Sequence, residues 1–158
     1  MPASALKKAM DLLAARPLTE AELRTRLSAG EKFPLPEVEE AVVCCRNRGY
    51  LNDSLLASDA ARYLNASGRG QGLIRKKLRA RGVSEENLAG ALSALSAEDE
   101  TAAARNAGTA KLRLLTREKD GRKKREKLFR FLISRGFSPE TAIDTLSELL
   151  GGTAEDSC

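Results

Sequence analysis

Two short segments of the chain hold much of its positive charge. Residues 69–82 carry six Lys and Arg side chains and no acid, whereas residues 117–135 carry nine of them and three acids. Each segment therefore has a net charge of +6, while the remaining residues together carry −7. Clustered ammonium and guanidinium groups attract phosphates or an acidic protein surface, and they bind them in a salt-dependent way. The candidate chemistry is the binding of an anionic partner.

Helical spacing places these cations opposite an apolar face. Ile74 and Leu78 predict the buried face of the first helix, and Leu128, Phe131 and Leu132 predict that of the second. Like charges four residues apart on the outer faces cost about 0.2–0.5 kcal/mol per pair. A solvated basic face without a partner is the competing interpretation, but the recurrence in two similar helices favours a partner. The predicted contact residues are Arg69, Arg75, Lys76, Arg79, Arg122, Lys123, Lys124, Lys127 and Arg130.

Catalytic and metal chemistry find little support in the sequence. The chain has no His, which excludes His-based triads and most zinc sites. The glycine-rich segment at 68–72, GRGQG, lacks the Lys-Ser/Thr ending of a phosphate loop and follows no predicted strand, so we interpret it as a turn between helices. The acids at 37–40 and 97–100 fall in predicted first turns, where they complement the helix dipole. We predict a protein that is not an enzyme and uses no cofactor or metal.

The apolar residues that must position these cations favour helices throughout. The chain contains 24 Leu and 24 Ala but only four Val, three Ile and six aromatic residues, which predicts an all-α fold. No run of about 18 apolar residues predicts a membrane span, and the N-terminus does not resemble a secretory signal. Three cysteines without a spacing pattern are typical of reduced thiols, so we expect a cytoplasmic protein.

The sequence also repeats itself. Residues 78–92, LRARGVSEENLAGAL, and residues 132–146, LISRGFSPETAIDTL, are identical at six of fifteen positions. In both copies a helix is predicted to end at a glycine, Gly82 or Gly136, and the next to begin at a serine cap, Ser84 or Ser138. Apolar stripes at i, i+4 and i+7 follow each serine. Each copy is therefore predicted to be a pair of helices joined by a short turn.

A fainter third copy and further helices complete the predicted repeat. Thr19 and Glu22 form a predicted capping box, and a stripe of Val38, Val42 and Cys45 follows a longer loop. Another helix precedes each pair, the second of these behind a cap at Asp53. The apolar positions marking these helices are Leu6, Met10 and Leu13; Leu56, Ala60 and Tyr63; and Ala103, Ala107, Ala110 and Leu114.

Three such units predict an elongated, curved array of about nine helices, because a three-helix unit is too small to close a core alone. The predicted three-helix repeats span 1–52, 53–95 and 96–151, followed by a frayed tail at 152–158. We expect the array to be a monomer.

Four segments, taken in order, resemble the RecX family of bacterial RecA regulators. They are RPLTEAELRTRL (16–27), RGYLND (48–53), GLIRKKLRARGVS (72–84) and KLFRFLISRGFSPE (127–140). The chain departs from the family pattern at Asn52, where a second acid is usual, and in its glycine-rich 68–72 segment. The resemblance implies docking in the helical groove of the RecA–DNA filament, with inhibition of ATP hydrolysis, strand exchange and coprotease activity.

Two other functions remain open from the sequence. A freestanding helical protein could contact DNA phosphates without base specificity, because few amide side chains and no aromatic residues are interspersed among the cations to read or stack on bases. A purely structural scaffold is the third hypothesis, in which the basic residues contact no partner.

Overall fold

The chain is all-α over the residues that the structure describes. The computed structural model describes residues 4–151, which form nine α-helices, one short 3-10 turn and no strand. The prediction of an all-α fold is confirmed, and none of the described helices is long and apolar enough to cross a membrane. The helices are α1 (Ala5–Ala15), α2 (Glu20–Ser28), α3 (Leu35–Asn47), α4 (Asp53–Ala66), α5 (Gln71–Ala80), α6 (Glu85–Ser93), α7 (Ala97–Leu114), α8 (Gly121–Ser134) and α9 (Pro139–Leu150).

The helices form two compact units. The first unit runs to Asp59 and includes Leu78–Ala91, and the second comprises Ala60–Lys77 and the chain from Leu92 onward. The proposed repeat boundaries stay a prediction, because this division follows packing and not the sequence period. The predicted frayed tail, residues 152–158, lies outside the described residues.

Each unit has its own apolar core. In the first unit, α1, α2 and α3 bury a cluster that includes Leu23, Leu27 and Cys45. In the second unit, α7, α8 and α9 bury a cluster centred on Leu128 and Leu132. These residues lie on the faces that the apolar spacing predicts, so the inward orientation of α2, α3 and α8 is confirmed.

Three helices instead bury their small side chains. Met10, Tyr63 and Leu114, which mark these helices in the sequence, are 38%, 72% and 77% exposed. The reason is visible in the second unit, where a Cβ added to Gly108 would lie 2.7 Å from Leu149 Cδ1. Helices this close leave no room for larger side chains. The buried pairs are Ala5 and Ala9 in α1, Ala57 and Ala61 in α4, and Ala104 and Gly108 in α7.

The helix caps follow the sequence at most positions. The Thr19–Glu22 capping box is present, and Ser84 and Ser138 accept hydrogen bonds from the backbone N–H groups three residues later. The predicted cap at Asp53 is wrong. The side chain of Asn52 accepts from the N–H of Leu55 at 3.0 Å and takes the N-cap role instead, while Asp53 contacts another helix.

The two cysteines of α3 contribute to packing. Cys45 is buried in the first core, Cys44 is half-buried, and both are free thiols. Burial raises the pKa of the Cys45 thiol, which keeps it protonated and weakly reactive. The interpretation of Cys45 as a small core residue is confirmed, whereas Cys158 lies outside the described residues.

We expect Leu132→Ala to lower the free energy of unfolding by about 2–5 kcal/mol, because the substitution leaves a cavity in a close-packed core. Leu132 is fully buried in the second core, while the adjacent Ile133 is 38% exposed. Ile133→Ala is therefore the matched control and should cost clearly less. Urea denaturation of both variants measures the difference, and equal losses would contradict this assignment of the core.

Candidate functional site

The glycine turn after α5 packs against the start of α2 in the first unit. The Thr19 hydroxyl donates a hydrogen bond of 2.6 Å to the carbonyl oxygen of Arg81, although 62 residues separate them. Gly82 has a φ of +86°, and a Cβ added to it would lie 2.4 Å from the Cβ of Ala21. Only glycine combines this backbone conformation with so close an approach. The repeated Arg-Gly pair therefore forms a joint, which we name the first joint (Thr19–Glu22 with Arg81–Gly82).

An ion pair fastens the first joint. The guanidinium of Arg81 donates from Nη2 to Glu22 Oε1 at 2.9 Å and from Nε to Oε2 at 3.1 Å. Burial raises the pKa of Glu22, but the bonds from Arg81 and from the Thr19 N–H, with the nearby charge of Arg16, outweigh burial and lower it. Because both side chains are half-buried, this pair should hold the turn more firmly than a fully exposed pair would.

The corresponding turn after α8 packs against the start of α5 in the second unit. The N–H groups of Gly70 and Gly72 donate to the carbonyl oxygens of Arg135 and Gly136 at 2.7 and 3.0 Å. A Cβ added to Gly70 would lie 2.5 Å from backbone atoms of this turn. Residues 68–70 of the glycine-rich segment form the predicted turn between helices, whereas Gln71 and Gly72 begin α5. The glycines of this segment permit the close approach. This contact, Gly70–Leu73 with Arg135–Phe137, is the second joint.

A carboxylate accompanies each joint. Asp53 accepts from the N–H of Glu20 at 3.0 Å, and Glu100 accepts from the N–H of Gln71 at the same distance. Each carboxylate lies near the beginning of its own helix and satisfies the first N–H of a different one. Burial raises the pKa of both Asp53 and Glu100, and these hydrogen bonds only partly offset it.

The predicted contact residues of α8 lie mainly on its exposed face. We name Arg122, Lys123, Lys124, Lys127 and Arg130 the α8 basic row; all are exposed except Lys124, which is half-buried. Lys127 forms an ion pair with Glu118 at 2.8 Å, and Arg122 lies 3.9 Å from Glu126. Among the described residues, Lys123, Lys124 and Arg130 have no ion pair within 4.0 Å.

The start of α8 is electrostatically unfavourable. Its first turn contains no acid, and Arg122, Lys123 and Lys124 lie at or next to it. The positive end of the helix dipole disfavours such cations by about 0.3–1 kcal/mol each. Asp120 partly compensates for this at the cap, where it accepts from the N–H groups of Arg122 and Lys123 at 3.0 and 3.4 Å. The first turns of α2, α3, α4, α6, α7 and α9 each contain an acid, whereas those of α1 and α5, like that of α8, contain none.

The predicted residues around α5 are less uniform. Arg75 and Lys76 are exposed, and no ion pair to either is found in the described part of the chain. Arg79 is also exposed, but it forms a bidentate pair with Glu85 at 2.7 and 3.1 Å. Arg69 is half-buried in the α4–α5 turn, and its buried Nε has no hydrogen-bond partner among residues 4–151. We name Arg75, Lys76 and Arg79 the α5 basic row.

Two features of the cationic surface were not predicted from the sequence. Phe131, predicted to pack, is half-buried, and its ring lies beneath Lys111 and Arg135 at 5.3 and 5.1 Å. Arg16 and Arg26 line a cavity beside the first joint. They lie among Glu20, Glu22 and other acids in the sequence, so the local net charge did not mark them.

The structure offers no site for a metal ion in its described part, because it brings together no group of three His, Cys, Asp or Glu side chains. The exposed cations of α5 and α8 can donate hydrogen bonds from ammonium and guanidinium groups to an anion. The assignment of the nine predicted residues to a binding surface stays a prediction.

We expect Glu22→Gln to reduce the dependence of stability on acid pH. The pKa of Glu22 is lower in the folded chain than in the unfolded one, so its carboxylate stabilises the fold above the usual glutamate value of about 4.3. This stabilisation is lost as the pH falls through the lower, folded pKa. In urea denaturation below pH 5, the variant should therefore lose stability less steeply than the parent chain.

The control for this prediction is Glu40→Gln, which changes an exposed glutamate of α3 for which no hydrogen bond or ion pair is found among residues 4–151. It should retain the acid dependence of the parent chain. If the two variants showed the same dependence on pH, the contribution of the Glu22–Arg81 pair would have to be rejected.

Known proteins resemble this chain in both sequence and fold. A sequence model of the RecX third three-helix domain matches residues 98–145. Regulatory protein RecX of Clostridium perfringens (strain SM101 / Type A) is 34% identical over 123 residues, which cover 76% of this chain and 56% of that relative. Regulatory protein RecX of Syntrophotalea carbinolica is 41% identical over 68 residues, which cover 43% of this chain and 44% of the relative. The chain thus spans about half the length of the curated relatives it matches.

Solved structures share the arrangement of helices. The crystal structure of RecX from Lactobacillus salivarius matches 94% of this chain and 96% of its own with a TM-score of 0.82 at 19% identity. A second crystal structure, of regulatory protein RecX, matches 93% of this chain and 70% of its own with a TM-score of 0.78 at 24% identity. These likenesses show the fold, and the sequence relatives are named regulatory proteins. The sequence segments, the matched third domain, the sequence relatives and the fold all resemble those of RecX proteins.

Proposed function

We propose that the chain binds the RecA–DNA nucleoprotein filament in its helical groove and inhibits the ATPase, recombinase and coprotease activities of RecA. The RecX family implies this role. The chain's own support for it is the pair of basic rows on α5 and α8, which offer exposed cations to an anionic surface.

The cluster of cations at the start of α8 carries the proposal. Three cations lie where the helix dipole disfavours them, and neither Lys123 nor Lys124 has an ion pair in the described part of the chain. An isolated protein gains no stability from this arrangement. A bound phosphate or carboxylate would reverse the sign of the effect, because an anion is stabilised both by the cations and by the helix N-terminus.

The α5 basic row extends the same argument. Arg75 and Lys76 project exposed charges from a helix without acids, and Arg75 lies four residues before Arg79. Contacts of this kind displace counterions from DNA, or pair with acidic residues of RecA, without distinguishing one base from another. We therefore propose DNA phosphates and RecA together as the partner surface.

A freestanding DNA-binding function is the alternative, because the same cations would suit the phosphates of bare DNA. It is separated from the first proposal by the partner that the protein requires. A filament regulator should act at concentrations well below those at which it binds DNA alone.

The test compares two titrations of the same protein. One measures the ATPase rate of preformed RecA filaments, and the other measures binding to bare single- and double-stranded DNA at several salt concentrations. Inhibition at concentrations well below the bare-DNA dissociation constant is expected, and both effects should weaken as salt increases. Tight DNA binding without any effect on filament ATPase would favour the alternative, and the absence of both would refute both proposals.

A further inference from the structure

A cavity of about 270 Å³ beside the first joint is lined mainly by arginines among its charged residues. Arg16, Arg26, Arg79 and Arg81 border it, and Glu22 is the only acid among its lining residues. All of them belong to the first compact unit. The charged residues that line the cavity therefore carry a net charge of +3, and Arg16 and Arg26 contribute to it from outside the two basic segments identified in the sequence.

Hydrogen bonds fix the orientation of the Arg81 guanidinium but use only some of its donors. Its Nε and one N–H of Nη2 donate to Glu22, and Nη2 also reaches the carbonyl oxygen of Pro17 at 3.5 Å. A guanidinium has five N–H donors, and the two on Nη1 have no hydrogen-bond partner among residues 4–151. Because Glu22 fixes the orientation of Arg81, these donors are already positioned before a ligand arrives.

Arg79 is held in the same manner from the other side. Its Nε and Nη2 donate to Glu85 at 2.7 and 3.1 Å, which leaves its Nη1 donors for another acceptor. Arg16 and Arg26 are exposed, and neither forms an ion pair with any of the described residues. The charge of Arg16 nevertheless helps to lower the pKa of Glu22, which places that charge near the joint.

We propose that this cavity is a binding site for a phosphate group, formed by Arg16, Arg26, Arg79 and Arg81 around the first joint. The one carboxylate in the lining is already engaged, so the free hydrogen-bonding capacity of the four guanidinium groups consists of donors. Planar guanidinium donors match the oxygens of phosphate, and two negative charges would leave the site close to neutral. The inference does not require filament binding, although Arg79 also belongs to the α5 basic row.

The probes are inorganic phosphate and a short single-stranded oligonucleotide without a terminal phosphate. The first supplies a free phosphate and the second only backbone phosphates. Isothermal titration calorimetry at constant ionic strength, with chloride replaced stepwise, measures the binding of each probe. The test variant is Arg16→Gln with Arg26→Gln, because both side chains are exposed and neither has an ion pair in the described part of the chain.

The matched control is Arg113→Gln with Arg117→Gln, which removes the same charge from two exposed positions outside the cavity. Losing two charge-assisted contacts should raise the dissociation constant about tenfold or more in the test variant, and the control should stay close to the parent. An unchanged thermal melt establishes that the test variant folds.

Either probe can support the proposal, and together they identify the source of the phosphate. Weakened binding of inorganic phosphate points to a free phosphate or phosphomonoester. Weakened binding of the oligonucleotide alone points to the nucleic-acid backbone. If the test variant and its control bind both probes equally, or if the parent binds neither, the proposed site is overturned.

Discussion

Gly136→Ala is expected to lower the free energy of unfolding by about 2–5 kcal/mol, since overpacking costs about 1–3 kcal/mol and a left-handed conformation about 1–2 kcal/mol. Gly136 has a φ of +93°, and a Cβ added there would lie 2.2 Å from Leu73 N and 2.6 Å from Leu73 Cβ. A backbone nitrogen cannot move aside as the end of a side chain can. The turn must therefore move away from the start of α5. This movement also lengthens the hydrogen bond from the Gly72 N–H to the Gly136 carbonyl oxygen.

Gly49→Ala isolates the contribution of close approach. Gly49 has a similar φ of +81°, but nothing lies within 4 Å of a Cβ placed there. This substitution should cost only the backbone term of about 1–2 kcal/mol. Chemical denaturation of both variants measures the difference. The slope of unfolding free energy against denaturant concentration should be the same for both variants and the parent chain. If the two glycines proved equally sensitive, the second joint would not be the tight contact described here.

Charge reversal on α8 is expected to have the largest functional effect, and this prediction rests on the proposed function. Lys123→Glu with Arg130→Glu replaces two exposed cations that form no ion pair in the described part of the chain. The variant loses two attractive contacts and adds repulsion from phosphates or carboxylates. The concentration required for half-inhibition of filament ATPase should rise about tenfold or more, given 1.4 kcal/mol for each factor of ten.

The matched control is Lys7→Glu with Lys32→Glu, which reverses the charge at two exposed positions outside both basic rows. It changes the net charge by the same amount, so any general effect of charge is shared. Inhibition by the control should stay close to that of the parent chain. Equal inhibition by the two variants would remove the α8 basic row from the proposed interface. Arg79 is less suitable for this test, because its pairing with Glu85 means that reversal also disturbs a local contact.

The sequence by itself determined the helical architecture. Capping residues and apolar spacing act within one or two turns of the chain, so Thr19, Ser84 and Ser138 begin helices wherever the fold places them. Large residues such as Leu128 and Leu132 were assigned correctly to the core for the same local reason. The repeated Arg-Gly turn was also visible, although its role as a joint was not.

Only the tertiary structure decided which helices approach each other closely. Gly108 is buried where the neighbouring helix leaves no room for a larger side chain, and the period of a single helix carries no information about the distance between two helices. The position of Asp53 against the start of α2, and of four arginines around one cavity, depends in the same way on residues far apart in the chain. Local propensity selects a helix and its ends, whereas contacts such as Thr19 with Arg81, 62 residues apart, exist only after the chain has packed.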